Sequence, residues 1–250
     1  MLEISCTEQI MAEQQSNKWW KGLWPSIPAE GNNFRYEKKY LIPMEELEWL
    51  KARVESKGLQ PIYHPRFVNN IYADTFNLHH LNENIEGVSR RQKMRMRWYG
   101  DALGELKITG EFKIKQEDVN RKHTQKLGVY RRNNTEDIQR VFQDARAKWI
   151  EQEADLKPLL GRYRATLENR YARRYLLTAD KQIRLTIDTE MSYTNLITGI
   201  SAKDLEYAIV ELKCSVDHPI VNDLLPYSLS KSSKYVDGLM RTDPHYRLAH

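Results

Sequence analysis

The residues best suited to chemistry in this chain are charged, and they recur two positions apart. Glu37 and Lys39 are one such pair, and Arg95 and Arg97 are another. Glu111, Lys113 and Lys115 form a third set, Arg184, Thr186 and Asp188 a fourth, and Glu211 and Lys213 a fifth. On a β-strand this spacing puts the members of each set on one face, because successive side chains alternate. The opposite faces then carry Met94, Met96 and Trp98, Phe112 and Ile114, Ile183, Leu185 and Ile187, and Val210 and Leu212. One strand of this kind reads as an ordinary amphipathic sheet with a wet face. Several of them, with a polar face made almost wholly of Arg, Lys and Glu, strain that reading. A sheet curled into a barrel satisfies both faces. Its apolar side lies outward beneath helices and its charged side inward around a polar bore. Like charges around an empty bore repel, so such a lining calls for a polyanion. The guanidinium forks of Arg95, Arg97 and Arg184 suit phosphate oxygens bidentately. Glu37, Glu111, Glu211 and Asp188, interleaved among them, could hold a hard divalent cation that bridges protein and phosphate.

The rest of the chain must position these sets. Its 250 residues allow one large domain or two small ones. Hydrophobic residues make up 40%, enough for a core at this length. Lys and Arg number 39 against 34 Asp and Glu, a net charge of only +5, so the placement of charge matters more than its sum. Cys6 and Cys214 build neither a disulfide framework nor a zinc motif. No apolar run reaches the roughly 18 residues of a membrane helix. The first residues lack the basic and apolar regions of a signal peptide, which makes the cytoplasm the default address. The glycine-rich, HExxH and GxSxG signatures of common enzyme classes are absent.

Residues 1–33 read as a polar lead-in. Its Trp19, Trp20 and Trp24 are expected to pack on the domain surface, with docking to a partner or a membrane interface as the alternative. Residues 34–250 read as the charged-sheet domain. Strands are expected at 34–42, 68–74, 91–99, 110–115, 162–176, 182–189 and 207–214. Helices are expected from Pro43 to about Lys57, at 136–151 behind a Thr135 cap, and at 229–239. Lys115, Arg90, Arg91, Arg173 and Arg174 are assigned to the rim or surface. The histidines, among them His79, His80 and His123, are assigned to solvent or capping.

The segments RYEKKYLIP, SRRQKMRMRWYG, GEFKIK, IRLTIDTE, VELKCS and SKSSKYVDG, in this order, resemble the VTC-type polyphosphate polymerase domain of the CYTH-like triphosphate tunnel metalloenzymes. The likeness runs from Phe34 to Gly238. It implies an α+β fold: an antiparallel eight-stranded β-barrel tunnel with a charged lumen, covered outside by helices. It also implies Mn²⁺- or Mg²⁺-dependent transfer of the ATP γ-phosphoryl onto a growing polyphosphate chain. By the matched motifs, Lys39, Arg95, Arg97, Lys113, Arg184 and Lys213 would act on the triphosphate. Arg170, Lys231, Lys234 and, in preference to Lys126, Lys122 would bind phosphate. Glu211 would hold the metal with Glu37 or Glu111. An inorganic triphosphate or NTP hydrolase of the same fold is the alternative, weakened because Arg35 stands where such enzymes carry a first glutamate. A non-catalytic polyanion binder is the third reading; nucleic acid is the less favoured ligand, although tyrosines and arginines alternate in 162–175. With about 33 residues ahead of the tunnel, no phosphate-sensing SPX-type domain is expected there, and no membrane span follows. Export of a polymer would therefore need a membrane-protein partner, with the chain peripheral at the membrane.

Overall fold

The computed structural model describes residues 36–116, 119–214 and 224–243. Ten strands form one antiparallel sheet. They are β1 (Tyr36–Pro43), β2 (Leu59–Pro61), β3 (Arg66–Asp74), β4 (Arg90–Tyr99), β5 (Gly104–Gln116), β6 (Val119–Arg132), β7 (Arg164–Thr178), β8 (Ile183–Asn195), β9 (Ser201–Asp204) and β10 (Tyr207–Cys214). The helices placed wholly within the described residues are α1 (Leu47–Ser56), α2 (His79–Glu86), α3 (Ile138–Gln152), α4 (Lys157–Leu160) and α5 (Lys234–Thr242). Hydrogen bonds run along β1-β10-β8-β7-β3-β4-β5-β6, with β2 added to β7 and β9 to β8.

The expected curled antiparallel sheet is present, and it is not closed: among the described residues no backbone pairing joins β6 to β1. The sheet is nevertheless strongly curled. Six strand steps separate β1 from β5 along the path, roughly 29 Å if the sheet were flat. Lys113 Nζ of β5 lies 3.5 Å from Glu37 Oε2 of β1. Only a sheet wrapped around its charged face can bring these two side chains together.

Alternation divides the strands as their sequence implies. On the outer face of β4 and β5, Met94, Met96, Trp98, Ile108 and Phe112 pack beneath α3 through Ile138, Val141, Phe142 and Trp149. Gly110 makes room for Trp149, whose ring occupies the space a β-carbon would take. A second outer core joins Tyr40, Ile42, Leu185, Ile187, Val210, Leu212 and Cys214 to Leu47, Leu50 and Val54 of α1. Gly58 ends that helix region at φ +88°, a conformation open to glycine.

The third core lies on the inner face, where only charge was expected. Val68, Tyr72, Leu167, Tyr171, Met191, Tyr193 and Ile209 surround Tyr235 and Leu239 of α5. A bulge makes this possible. Arg170 pairs with Ser192 and Ala172 with Thr189, so Glu190 and Met191 together oppose Tyr171. Glu190 takes φ +54°, and the extra residue reverses the phase of β8. Before it Arg184, Thr186 and Asp188 point inward; after it Met191 and Tyr193 do. Helix α5 thus covers the lumen from within, whereas α1 and α3 cover the sheet from outside. Gly238 allows its close approach, because a β-carbon there would come within 2.5 Å of Tyr193 and 2.6 Å of Leu167. Gly238→Val is expected to destabilise the chain by about 1–3 kcal/mol through overpacking. A thermal melt checks this.

The elements differ from the sequence expectations in places. Strand β6 and helix α2 were not anticipated, and β5 begins at Gly104 rather than 110. Helix α3 is preceded by Asp137, not capped by Thr135. Helix α5 begins at Lys234, so Lys231 stands before it. The lead-in 1–33, with its tryptophans, lies outside the described residues.

Candidate functional site

Three linked ion clusters line the curl. In the first, Glu37 of β1 meets Lys113 at 3.5 Å, Lys39 at 3.5 Å and Lys213 at 3.2 Å. Glu211 of β10 meets the same Lys213 at 3.2 Å and Lys39 at 3.9 Å. Burial would raise the pKa of Glu211, but Lys39, Lys213, Arg173 and Lys234 outweigh it and hold the carboxyl well below its ordinary range. Glu37 is likewise lowered: burial and the facing Glu211 raise it, and Lys113, Lys213 and Lys39 prevail.

The second cluster belongs to β4, β5 and β6. Arg95 Nε donates to Glu111 Oε2 at 2.7 Å, and Arg97 and Lys122 lie 3.8 and 3.6 Å from Glu111 Oε1. These cations overcome burial and bring Glu111 down to about 2. Arg97 is 7% exposed and donates to Asn70 at 2.9 Å and to the Tyr171 hydroxyl at 3.3 Å. The third cluster centres on Asp188, which is fully buried. It accepts from Arg173 Nε at 2.6 Å and Nη2 at 2.7 Å, and faces Lys234 Nζ at 2.7 Å. Burial would raise the Tyr171 phenol, yet Arg173, Arg97 and Lys234 bring it below its usual value.

The lumen therefore gathers Lys39, Arg95, Arg97, Lys113, Lys122, Lys213 and Lys234, as the motifs implied. Arg184 shares the inner face with Asp188 and is in register with Lys213. Lys122 rather than Lys126 reaches Glu111. Two expectations are corrected. Arg170 lies on the outer face, its guanidinium 3.6 Å from the Phe67 ring centroid. Its inner place is taken by Arg173, which had been assigned to the rim. Lys231 is exposed and outside α5, so it does not share a helix face with Lys234.

Lys93 is a further inward cation that the motifs do not mark. It lies two before Arg95, on the same face, and its Nζ donates to Ser233 Oγ at 2.8 Å. Burial, and then Lys39, Lys113, Arg91 and Arg95, bring its pKa down to about 7. Between about 7 and the ordinary lysine value near 10.4, the folded state then binds fewer protons than the unfolded state. Raising the pH through that window stabilises the fold, by at most about 1.4 kcal/mol per pH unit from this group. Thermal midpoints at pH 7 and 9 are expected to show this gain in the wild type relative to Lys93→Met. An equal pH response in both proteins rules it out.

The carboxylates separate by their suitability for a metal. Glu37 and Glu211 face each other and share Lys39 and Lys213, so the pair suits a hard divalent ion that takes further ligands from phosphate and water. Glu111 is enclosed by Arg95, Arg97 and Lys122, and it does not join that pair. Elsewhere, His79, His80 and Glu83 bring ligand atoms within 4.8 Å of one another. His79 is exposed, whereas His80 departs from its assignment to solvent or capping: it is 3% exposed and bonds Glu83 at 2.8 Å and the Tyr163 hydroxyl at 2.8 Å. Its ring is engaged at both nitrogens, which reads as structure.

A curled antiparallel sheet whose inner face gathers lysines and arginines around a few carboxylates makes a candidate polyanion site. The VTC domain matches residues 34–242, and the chain belongs to that family. No curated protein matches. Among solved structures, a candidate adenylate cyclase from Bacillus halodurans is 13% identical, with 80% of this chain and 94% of that one covered and a TM-score of 0.49. A candidate adenylyl cyclase from Hippeastrum, described as having a dominant triphosphatase activity, is 14% identical. There the coverage is 85% and 95% and the TM-score 0.44.

Proposed function

We propose that the chain is a metal-dependent polyphosphate polymerase that transfers the ATP γ-phosphoryl to a growing polyphosphate chain in its lumen. The observation that carries the reading is the lining itself. Inward-facing Lys39, Lys93, Arg95, Arg97, Lys113, Lys122, Arg173, Lys213 and Lys234 outnumber the carboxylates that neutralise them; Arg97 is buried and the others are partly buried. A surplus of cations held partly out of water is costly when empty and favourable around a chain of phosphates.

Phosphoryl transfer depends on alignment and charge neutralisation more than on covalent catalysis. Arg95, Arg97 and Arg173 would clamp donor phosphates, each already oriented by Glu111, Asn70 or Asp188. Lys39, Lys113 and Lys213 would hold the neighbouring phosphates and the acceptor. A terminal phosphate oxygen of the acceptor is the nucleophile, so no side chain need form a covalent intermediate. Glu37 and Glu211 would hold Mn²⁺ or Mg²⁺, which supplies Lewis-acid neutralisation of phosphate oxygens. Binding a polyanion returns the proton to Lys93, so affinity is expected to fall above pH 7, by at most about tenfold per pH unit from this group.

The test is incubation with ATP and Mn²⁺ or Mg²⁺, following ADP, free phosphate and acid-stable polymer together. ADP with polymer and little free phosphate supports the polymerase. ADP with matching free phosphate makes the chain a hydrolase, with water as acceptor. No turnover, with triphosphate still bound, leaves a polyanion binder. No helix among the described residues is long and apolar enough to cross a membrane. A membrane-protein partner for export of the product belongs to the same proposal.

A further inference from the structure

The inner face continues beyond the phosphate-facing cations to an aromatic mouth. Tyr99 lies two residues past Arg97 on β4, and Tyr175 two past Arg173 on β7, so alternation keeps both on the lumen side. Arg66 opens β3 in register with Arg173. Tyr63 arrives from the turn that precedes β3. The Arg66 guanidinium lies 4.2 Å from the Tyr99 ring centroid, 5.0 Å from Tyr175 and 5.4 Å from Tyr63. Tyr63 and Tyr175 meet edge to face at 5.7 Å. Among the described residues Arg66 meets these rings and no carboxylate.

This cluster is open to solvent: Tyr63 is 59% exposed and Tyr99 47%. A chain of inorganic phosphates has no π surface and gains little from exposed rings. A nucleobase has a flat π face, and it stacks on tyrosine rings and on guanidinium planes. The separation also suits one ligand with two ends. The Arg173 guanidinium lies 5.7 Å from the Tyr175 ring centroid, and Tyr99 stands one two-residue strand step, roughly 7 Å of backbone, from Arg97.

We propose that Tyr63, Tyr99 and Arg66 form a base-stacking platform at the mouth of the tunnel, so that the ligand is a nucleoside triphosphate entering phosphate-first. The inference rests on the lumen being a triphosphate site. The platform adds what the lumen lacks, a means of preferring a nucleotide over inorganic triphosphate or finished polymer. It also leaves the far phosphates nearest the cation clusters, where the terminal phosphoryl is the one transferred.

The test is calorimetric binding of ATP and of inorganic triphosphate to the full chain, in the wild type and in Tyr99→Leu and Tyr63→Leu. Both rings are exposed, so thermal midpoints should be nearly unchanged in the variants. Expected is about a tenfold loss of ATP affinity in Tyr99→Leu, with inorganic triphosphate bound as before. Equal losses for both ligands would show that the rings only shape the lumen, and no loss for either would remove them from binding; each overturns the platform. Equal wild-type affinities for the two ligands also overturn it while leaving the triphosphate site intact. A wild type that binds neither ligand removes the site itself. Single-stranded RNA binding more tightly than ATP, and lost with Tyr99, would make the mouth a nucleic-acid surface and end the proposal.

Discussion

Arg97→Ala is expected to lower triphosphate turnover by about 10²–10³-fold, the range seen when one preorganised charge-stabilising donor is removed. The reasoning starts from placement. Arg97 is 7% exposed, and its guanidinium is aimed by Asn70 at 2.9 Å and the Tyr171 hydroxyl at 3.3 Å. It therefore spends little on reorganisation when phosphate charge shifts. Glu111 keeps Arg95 and Lys122 after the substitution, so the fold loses less than the chemistry does. Arg97→Lys keeps the charge but not the planar fork, and it should fall between wild type and alanine. Steady-state release of ADP and phosphate, read beside a thermal melt, checks both. Wild-type turnover in a folded Arg97→Ala protein would end the tunnel reading.

Asp188→Ala is expected to have the largest effect on stability. The side chain is wholly buried and holds both Arg173 and Lys234. Burial acts to raise its pKa, and these two partners prevail and lower it. Breaking a buried pair leaves an uncompensated charge and costs about 3–5 kcal/mol. For a chain of this size that is a fall of roughly 6–20 °C in thermal midpoint. The same vacancy gives the variant a distinctive response. Inorganic triphosphate can neutralise Arg173 and Lys234 in place of the carboxylate, so it should raise the midpoint more in the variant than in the wild type. A uniform fall with no ligand response would make Asp188 a structural residue unrelated to the lumen. Asp188 also shows the sign of its pH effect: its stabilisation is present above the ordinary carboxylate pKa and is lost as pH falls through the lowered value.

Much of the fold was legible because the strands bury one face. Residues 207–214 form β10 as expected, and the outward Met94, Met96, Trp98, Leu185 and Leu212 are all in the core. Strand β6 escaped notice because it ends the hydrogen-bonded path and its outward residues Arg121, His123 and Gln125 are polar, so no apolar alternation marks it until Leu127. Helix α2, His79–Glu86, is eight residues of mostly polar sequence. Lys93 belongs to the same alternation as Arg95, but its outward neighbour Gln92 is polar, so apolar alternation marks the strand only from Met94. Arg170 and Arg173 could not be told apart in this way. Residues 170–175 place an arginine on each parity, and only Tyr171, packed inside with Val68 and Tyr235, shows which parity faces the lumen.

The sequence by itself determined that this chain makes a charged-inside, apolar-outside sheet, since two-residue periodicity is a local property of each strand. It also carried the order of motifs that belongs to the VTC domain. Only the tertiary structure decided which charges meet. The pairing of Lys113 with Glu37 follows from curvature accumulated over six strand steps. The entry of α5 into the lumen follows from a bulge at Glu190 and the bare α-carbon of Gly238. The lowered pKa of Lys93 follows from burial among Lys39, Lys113, Arg91 and Arg95. Each of these depends on long-range geometry and on the exclusion of water, and neither is written in the spacing of residues along a strand.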